Sequence, residues 1–304
     1  MRILCVITVS LLFGLAYCQL RKPKLYKVDL DKDPKLRWKE VIDDHLIYAP
    51  AIKQEASRYF KTPFGTILCW LLEKVVLLFP DEYAKEMEGI ANISGLEYCE
   101  VIGLNILHDI TNYNNLIGNF ANKLNGCTSI VGEDDSGRIL HGRNLDFQMT
   151  ELLKNLSVVV EFTRNDTVAY TGITFAYFVG LLTAQKPFAY TFSLNARRTG
   201  WYIATILMQI YTGFRMPVEM GIRMVCLLNR YLAEVCLITM LQMFETLAAE
   251  MFESANNYEE ASEYLQNMLI TSPCYFILGG TKAGEGMVIT RFTTRSFVYT
   301  LRRV

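Results

Sequence analysis

The apolar positions of this chain change period more than once along its length. From residue 36 to 123 they recur mainly at helical spacing, as in LRWKEVIDDHLIYAPAIKQEASRYF, where Pro50 interrupts the pattern. DEYAKEMEGIANIS gives an acidic helix start, and EYCEVIGLNILHDI a further short helix. At Gly126 the period becomes two. CTSIVGED alternates like a half-buried strand, DDSG is turn chemistry, and RILHGRNLDF resumes the alternation. LSVVVEFTRNDTVAYTGITF predicts two strands around an Asn-Asp turn. FVGLLTAQKPFAYTFSLN predicts further strands with Pro187 in a connection. Residues 201–270 return to helix, and CYFILGG and GMVITRF close as two strands flanking a glycine-rich loop. This order of helices, strands, helices and strands is α+β, with sheets layered between helices.

One segment is apolar beyond what amphipathic spacing requires. TILCWLLEKVVLLFP, residues 66–80, carries Glu73 and Lys74 as its only charges. It reads either as a buried helix or as one that lies on lipid. Residues 1–18, MRILCVITVSLLFGLAYC, place one arginine before an apolar core that ends in small residues, the pattern of a secretory signal peptide cut after Cys18. The core is short for a membrane span. Sequons at Asn92, Asn155 and Asn165 agree with passage through the secretory lumen.

Composition adds mainly exclusions. With 304 residues and a formal net charge of −1, the chain has length for one large domain or two small ones, and no electrostatic reason to bind nucleic acid. The basic stretch from Arg21 to Lys27 reads as solvated surface. Downstream of Cys18 the cysteines are Cys69, Cys99, Cys127, Cys226, Cys236 and Cys274. Their spacings match no zinc pattern, and His45, His108 and His141 are scattered, so neither a metal nor a cofactor is expected. Disulfides are permitted in this compartment. Cys127 set aside, five cysteines remain, so at least one of them stays free or pairs with another chain.

Cys127 carries the most specific chemical signal. Three readings compete: a buried structural thiol, half of a disulfide, or a nucleophile. Arg143 and Asp146 follow sixteen and nineteen positions later, and a hairpin turning near Asp135 brings both back toward Cys127. A guanidinium there favours the thiolate. No histidine is placed as a base; His141 falls on the strand face opposite Asp146. The remaining solution is the nucleophile's own α-amine, released by cutting the chain before it. Its ordinary pKa of about 7.7 to 8.0 suits it to act near neutrality. Gly126 leaves the preceding carbonyl open to attack.

At these residues CTSIVGEDDSGRILHGRNLDF resembles the N-terminal-nucleophile cysteine amidases of the acid ceramidase and N-acylethanolamine-hydrolysing acid amidase family, relatives of the bile-salt hydrolases and penicillin V acylases. YKVDLDKDPKLRW, YTGITFAYFVGLLTAQKPFAYTFSLN and YFILGGTKAGEGMVITR extend the resemblance in the right order. It implies a four-layer αββα sandwich and a precursor cut between Gly126 and Cys127. The pieces are a helical α chain of residues 19–126 and a β chain of residues 127–304, held as a heterodimer. The implied reaction is hydrolysis of a lipid amide in the lysosome or outside the cell, with substrate taken from a membrane by residues 66–80. Cys127 is then nucleophile and amine base, Arg143 and Asp146 hold the amine and the substrate, and Asn195 is an oxyanion or substrate contact. N-acylethanolamines and ceramides both remain as substrates.

The chain departs from the family in three places. Asn195-Ala196-Arg197 stands where relatives carry glutamate in the middle. The Thr-Asn-Tyr-Asp segment that supplies an oxyanion asparagine does not follow VITR. Residues 221–243 interrupt a helical region. These departures keep open a catalytically impaired lipid-binding relative on the same scaffold, or an isoform truncated in its C-terminal part.

Overall fold

In the computed structural model the described residues are 22–60, 65–66, 69–70, 72–73, 76, 80–111, 126–146, 149–197, 244–268, 270, 273–292 and 296–301. The signal peptide, the 221–243 interruption, Cys226 and Cys236 lie outside them.

The first described element is a strand, β1 (Lys24–Asp29). Its alternation, with Tyr26 and Val28 buried and Leu25 exposed, is carried by what reads as a lysine-rich opening. Helices α1 (Pro34–Arg37), α2 (Lys39–His45) and α3 (Ala49–Phe60) follow. Pro50 falls in the first turn of α3, where a missing N–H costs nothing. Then come α4 (Asp81–Ser94) and α5 (Tyr98–Thr111). Asp81 and Glu82 sit at the N-terminus of α4, favoured by the helix dipole, and Gly95 ends it in the left-handed region at φ 70°.

The hairpin β2 (Gly126–Glu133) and β3 (Ile139–Asp146) forms a two-stranded antiparallel sheet. After α6 (Thr150–Leu156), strands β4 (Ser157–Arg164) and β5 (Thr167–Phe175) meet at Asn165 and Asp166, both at positive φ, as the Asn-Asp pair predicts. Strands β6 (Thr183–Lys186) and β7 (Tyr190–Ala196), helices α7 (Phe244–Ser254) and α8 (Tyr258–Asn267), and strands β8 (Cys274–Gly279), β9 (Gly286–Arg291) and β10 (Ser296–Thr300) complete the order. Eight strands form one sheet in the order β1-β4-β5-β6-β7-β8-β9-β10, parallel only between β1 and β4.

Helices cover one face of this sheet. Phe252 of α7 packs on Tyr170, Tyr190 and Phe192, and Trp38 meets Phe162 edge-on. The hairpin lies across β7, β8 and β9 on the other face. Two glycines let it approach: a Cβ on Gly279 would stand 3.1 Å from Ile139 Cγ2, and one on Gly286 would stand 3.2 Å from Val131 Cγ2. Helix, large sheet and small sheet are thus three layers of the α+β arrangement. Over the hairpin's outer face no helix lies among the described residues, and Ile130 and Leu140 are 68% and 53% exposed there.

Cys69 and Cys99 form a disulfide, while Cys127 and Cys274 are thiols outside any disulfide. Of residues 66–80, Leu72 and Val76 are buried and Trp70 is exposed, so the segment has both an inner and an outer side. Among the described residues no helix is long and apolar enough to cross a membrane.

Candidate active site

Strand parity decides what the hairpin presents. Cys127, Ser129 and Val131 alternate inward on β2, and His141, Arg143 and Leu145 do so on β3. Cys127 pairs directly with Leu145, and Ser129 with Arg143, so Arg143 lies diagonally across from the thiol. Its Nη2 is 3.7 Å from Cys127 Sγ and donates to the Leu194 carbonyl at 2.7 Å, while Nη1 donates to Thr183 Oγ1 at 3.1 Å. These contacts fix a positive charge where a thiolate would form. Burial pushes the guanidinium below its ordinary pKa, and the neighbouring Cys127 sulfur opposes that shift.

The expectation that Arg143 and Asp146 both return to Cys127 holds for the backbone register but not for both side chains. Three residues separate them, an odd step, and Asp146 points to the outer face. It pairs with Gly126, its Oδ2 lies 3.9 Å from where a Gly126 Cβ would be, and its Oδ1 accepts from Asn144 Nδ2 at 2.7 Å. The carboxylate thus lies beside the Gly126 end of the expected cut.

The structure places Asn195 in the seam between β7 and the hairpin. Its amide stands 3.5 Å from Arg143 Nε, at the limit of hydrogen bonding, and closer contacts set its orientation. The nitrogen donates to Ser129 Oγ at 3.0 Å and Leu194 O at 3.1 Å, and the oxygen accepts from Ser129 N–H at 3.2 Å. Both amide hydrogens are engaged between the sheets. Ala196 pairs with Cys274 in the ladder.

His141, to which the sequence offers no role as a base, and three hydroxyls that the sequence did not single out adjoin the site. His141 Nδ1 lies 2.9 Å from Thr191 Oγ1 and its Nε2 2.8 Å from Ser193 Oγ. Burial, with Arg143 adding to it, lowers its pKa to about 4. Ser193 and Ser129 are 2.8 Å apart. The signal for these residues was a polar residue at every second position of β7 (Thr191, Ser193, Asn195), with Ser129 on β2. Nothing in the sequence states that those two strands face each other.

Two cavities meet here. One of ≈ 380 Å³ is lined by His141, Arg143, Thr183 and Lys154, among others. The other, ≈ 80 Å³ and almost wholly apolar, lies among Ile52, Leu104, Leu152 and Tyr177. They share Leu145, Leu153, Phe175 and Leu182. Leu145 is the ladder partner of Cys127.

Comparison with known proteins gives concordant matches. Residues 127–302 match the family of linear amide C–N hydrolases described as the choloylglycine hydrolase family. Residues 21–76 match the beta subunit of N-acylethanolamine-hydrolyzing acid amidase. The chain is 39% identical over 273 residues to a Caenorhabditis elegans protein named N-acylethanolamine-hydrolyzing acid amidase, covering 89% of this chain and 68% of that one. It is 31% identical over 286 residues to human acid ceramidase, covering 88% of this chain and 62% of the relative. A solved structure described as a Caenorhabditis elegans N-acylethanolamine-hydrolyzing acid amidase ortholog aligns with a TM-score of 0.44 at 39% identity, covering 57% of this chain and 64% of that one.

Proposed function

Since this chain belongs to the choloylglycine hydrolase family of linear amide C–N hydrolases, we propose that it hydrolyses N-acylethanolamines to fatty acid and amine, with Cys127 as an N-terminal nucleophile. The observation that carries this reading is Arg143 Nη2, 3.7 Å from Cys127 Sγ, on the strand beside an apolar cavity. Three features support the maturation step: the family match begins at residue 127, Gly126 leaves the preceding carbonyl unshielded, and Asp146 lies beside it.

In the precursor the Cys127 thiol adds to the Gly126 carbonyl, the C–N bond breaks, and the acyl group passes to sulfur. Water then hydrolyses the thioester, leaving a carboxylate on Gly126 and a free α-amine on Cys127. In the mature enzyme that amine takes the thiol proton as the sulfur attacks the substrate amide. The proton is delivered to the leaving amine, and water cleaves the acyl-enzyme. Arg143 stabilises the sulfur anion and holds the substrate carbonyl from the larger cavity. Asp146, freed from its place beside Gly126, holds the new α-amine. The acyl chain enters among Leu145, Leu153 and Phe175. His141 is neutral and engaged at both ring nitrogens, which removes it as the base.

The pieces are residues 19–126 and 127–304, in a protein sent through the secretory pathway to the lysosome or outside. Trp70, exposed on the 66–80 segment, rests on the membrane that supplies substrate. Asn92 and Asn165 are exposed and accept glycans; Asn155 is half-buried on α6. Ceramide is the second substrate reading, favoured by the 31% identity to acid ceramidase. Ala196, with an Asn195 amide already engaged, favours a third: a lipid-binding relative with weak or no turnover. Purified chain incubated at acid pH with an N-acylethanolamine and, separately, a short-chain ceramide tests all three. Faster release from the acylethanolamine is expected; faster release from ceramide moves the substrate, and no release from either leaves the binding scaffold.

A further inference from the structure

Between the inner face of the hairpin and β7 a file of polar side chains runs from Asn195 to Gly279. The amide of Asn195 is 3.0 Å from Ser129 Oγ, which is 2.8 Å from Ser193 Oγ. Ser193 Oγ is 2.8 Å from His141 Nε2, His141 Nδ1 is 2.9 Å from Thr191 Oγ1, and Thr191 Oγ1 is 3.2 Å from the Gly279 carbonyl oxygen. Hydroxyls and an imidazole can pass hydrogen bonds in either direction, so the two ends decide it. The Gly279 carbonyl can only accept, so Thr191 donates to it and accepts from His141 Nδ1–H. The neutral ring then has a bare Nε2, which accepts from Ser193. Ser193 accepts from Ser129, and Ser129 accepts from Asn195 Nδ2. In that orientation the second amide hydrogen goes to Leu194 O, and the amide oxygen accepts from the Ser129 N–H. Every hydrogen in the file is then donated, in one direction.

We infer that neutral, Nδ1-protonated His141 is a positioning residue: through Ser193 and Ser129 it holds the Asn195 amide against β2, and so fixes Cys127 beside Arg143. Burial and Arg143 keep the ring neutral down to about pH 4. The charged or titratable groups around it are Arg143 two residues along β3, the Cys127 thiol beyond that arginine, Glu133 at the far end of β2, and Lys154 across the shared cavity. Thr191 and Ser193 on β7 and Gly279 on β8 are uncharged. A proton on Nε2 reverses the file. Ser193 must then donate to Ser129, and Ser129 to the Asn195 amide oxygen 3.1 Å away, which leaves the amide nitrogen without its Ser129 acceptor and loosens its hold on β2.

The kinetic consequence rests on the amidase reading; the proton placement does not. Nitrogen-15 spectra of the histidine rings in full-length chain carrying Cys127→Ala, with His141→Gln added to assign the signal, should show the Nδ1–H tautomer titrating near pH 4. An Nε2–H tautomer, or an imidazolium at pH 5.5, overturns the inference. With Cys127 intact, His141→Gln and Ser193→Ala should each lower kcat about tenfold at unchanged KM, and the double variant should fall no further. Parental kcat in both variants also overturns it. A parent chain without turnover refutes the amidase reading instead, and the ring spectra still decide the positioning role.

Discussion

The two faces of β7 follow different rules. Tyr190, Phe192 and Leu194 point to the helices, where Phe252 lies 5.1 Å from the Tyr190 ring and 6.1 Å from that of Phe192. That side is held by buried aromatic area, which is insensitive to small rotations. Thr191, Ser193 and Asn195 point to the hairpin, where contacts are hydrogen bonds of about 3 Å to Ser129 and His141. Such bonds add about 1 kcal/mol each but tolerate little displacement. One strand thus anchors the sheet with its apolar side and aligns the thiol with its polar side.

Substitutions separate the two roles. The largest effect is expected from Cys127→Ala, which should abolish both hydrolysis and chain cleavage while leaving the thermal transition close to the parent's. Denaturing gels would show one band where the parent shows two. Arg143→Lys keeps the charge but cannot reproduce the fork that reaches Cys127, Thr183 and Leu194 together. A fall of about 10² to 10³ in kcat is expected, by analogy with the loss of one well-placed stabilising donor.

On the other side, Phe252→Ala should cost about 3–5 kcal/mol of stability, read from denaturant unfolding. Turnover per folded molecule should be unchanged; a matching loss of kcat would mean that the apolar side also sets alignment.

The smallest effect is a pH slope. His141 has a folded pKa of about 4, below its unfolded value of about 6.5. Between those values the unfolded chain binds the extra proton, so the group's contribution to stability is full above pH 6.5 and is lost as pH falls toward 4. About 1–3 kcal/mol of acid sensitivity should vanish in His141→Gln. Glu86 on the helical side runs the other way. Burial raises its carboxyl to about 7 against the opposing pull of Trp38 and Arg37, so its contribution is present at low pH and fades as pH rises through 7. Glu86→Gln should flatten that branch.

These contrasts also show what a sequence can disclose. The hairpin was readable because its period-two alternation and its DDSG turn are local, and the Asn165-Asp166 turn for the same reason. Strand β1 was hidden, because KLYKVD becomes a strand by pairing with Val158 to Thr163, far along the chain. Strand β10 is a short edge strand with both faces largely exposed, and no turn signal announces it. At the site, Cys127 and Arg143 are linked by spacing within one hairpin and could be paired on paper. Asp146 sits on the opposite face because three is an odd number. The hydroxyls of β7 were out of reach, since their partners lie on a strand that becomes a neighbour only after folding.

The position of the Cys69–Cys99 bridge has a practical outcome. Both sulfurs belong to the segment upstream of residue 126, so among the described cysteines no disulfide crosses the proposed point of scission. What joins the two halves is packing: β1 is laid into the sheet of the downstream half with Tyr26 and Val28 in its interior, Trp38 meets Phe162, and Asn105 bonds the Tyr177 and Val179 backbone. Scission would therefore yield a nicked protein that stays whole in buffer and comes apart in detergent without any reducing agent.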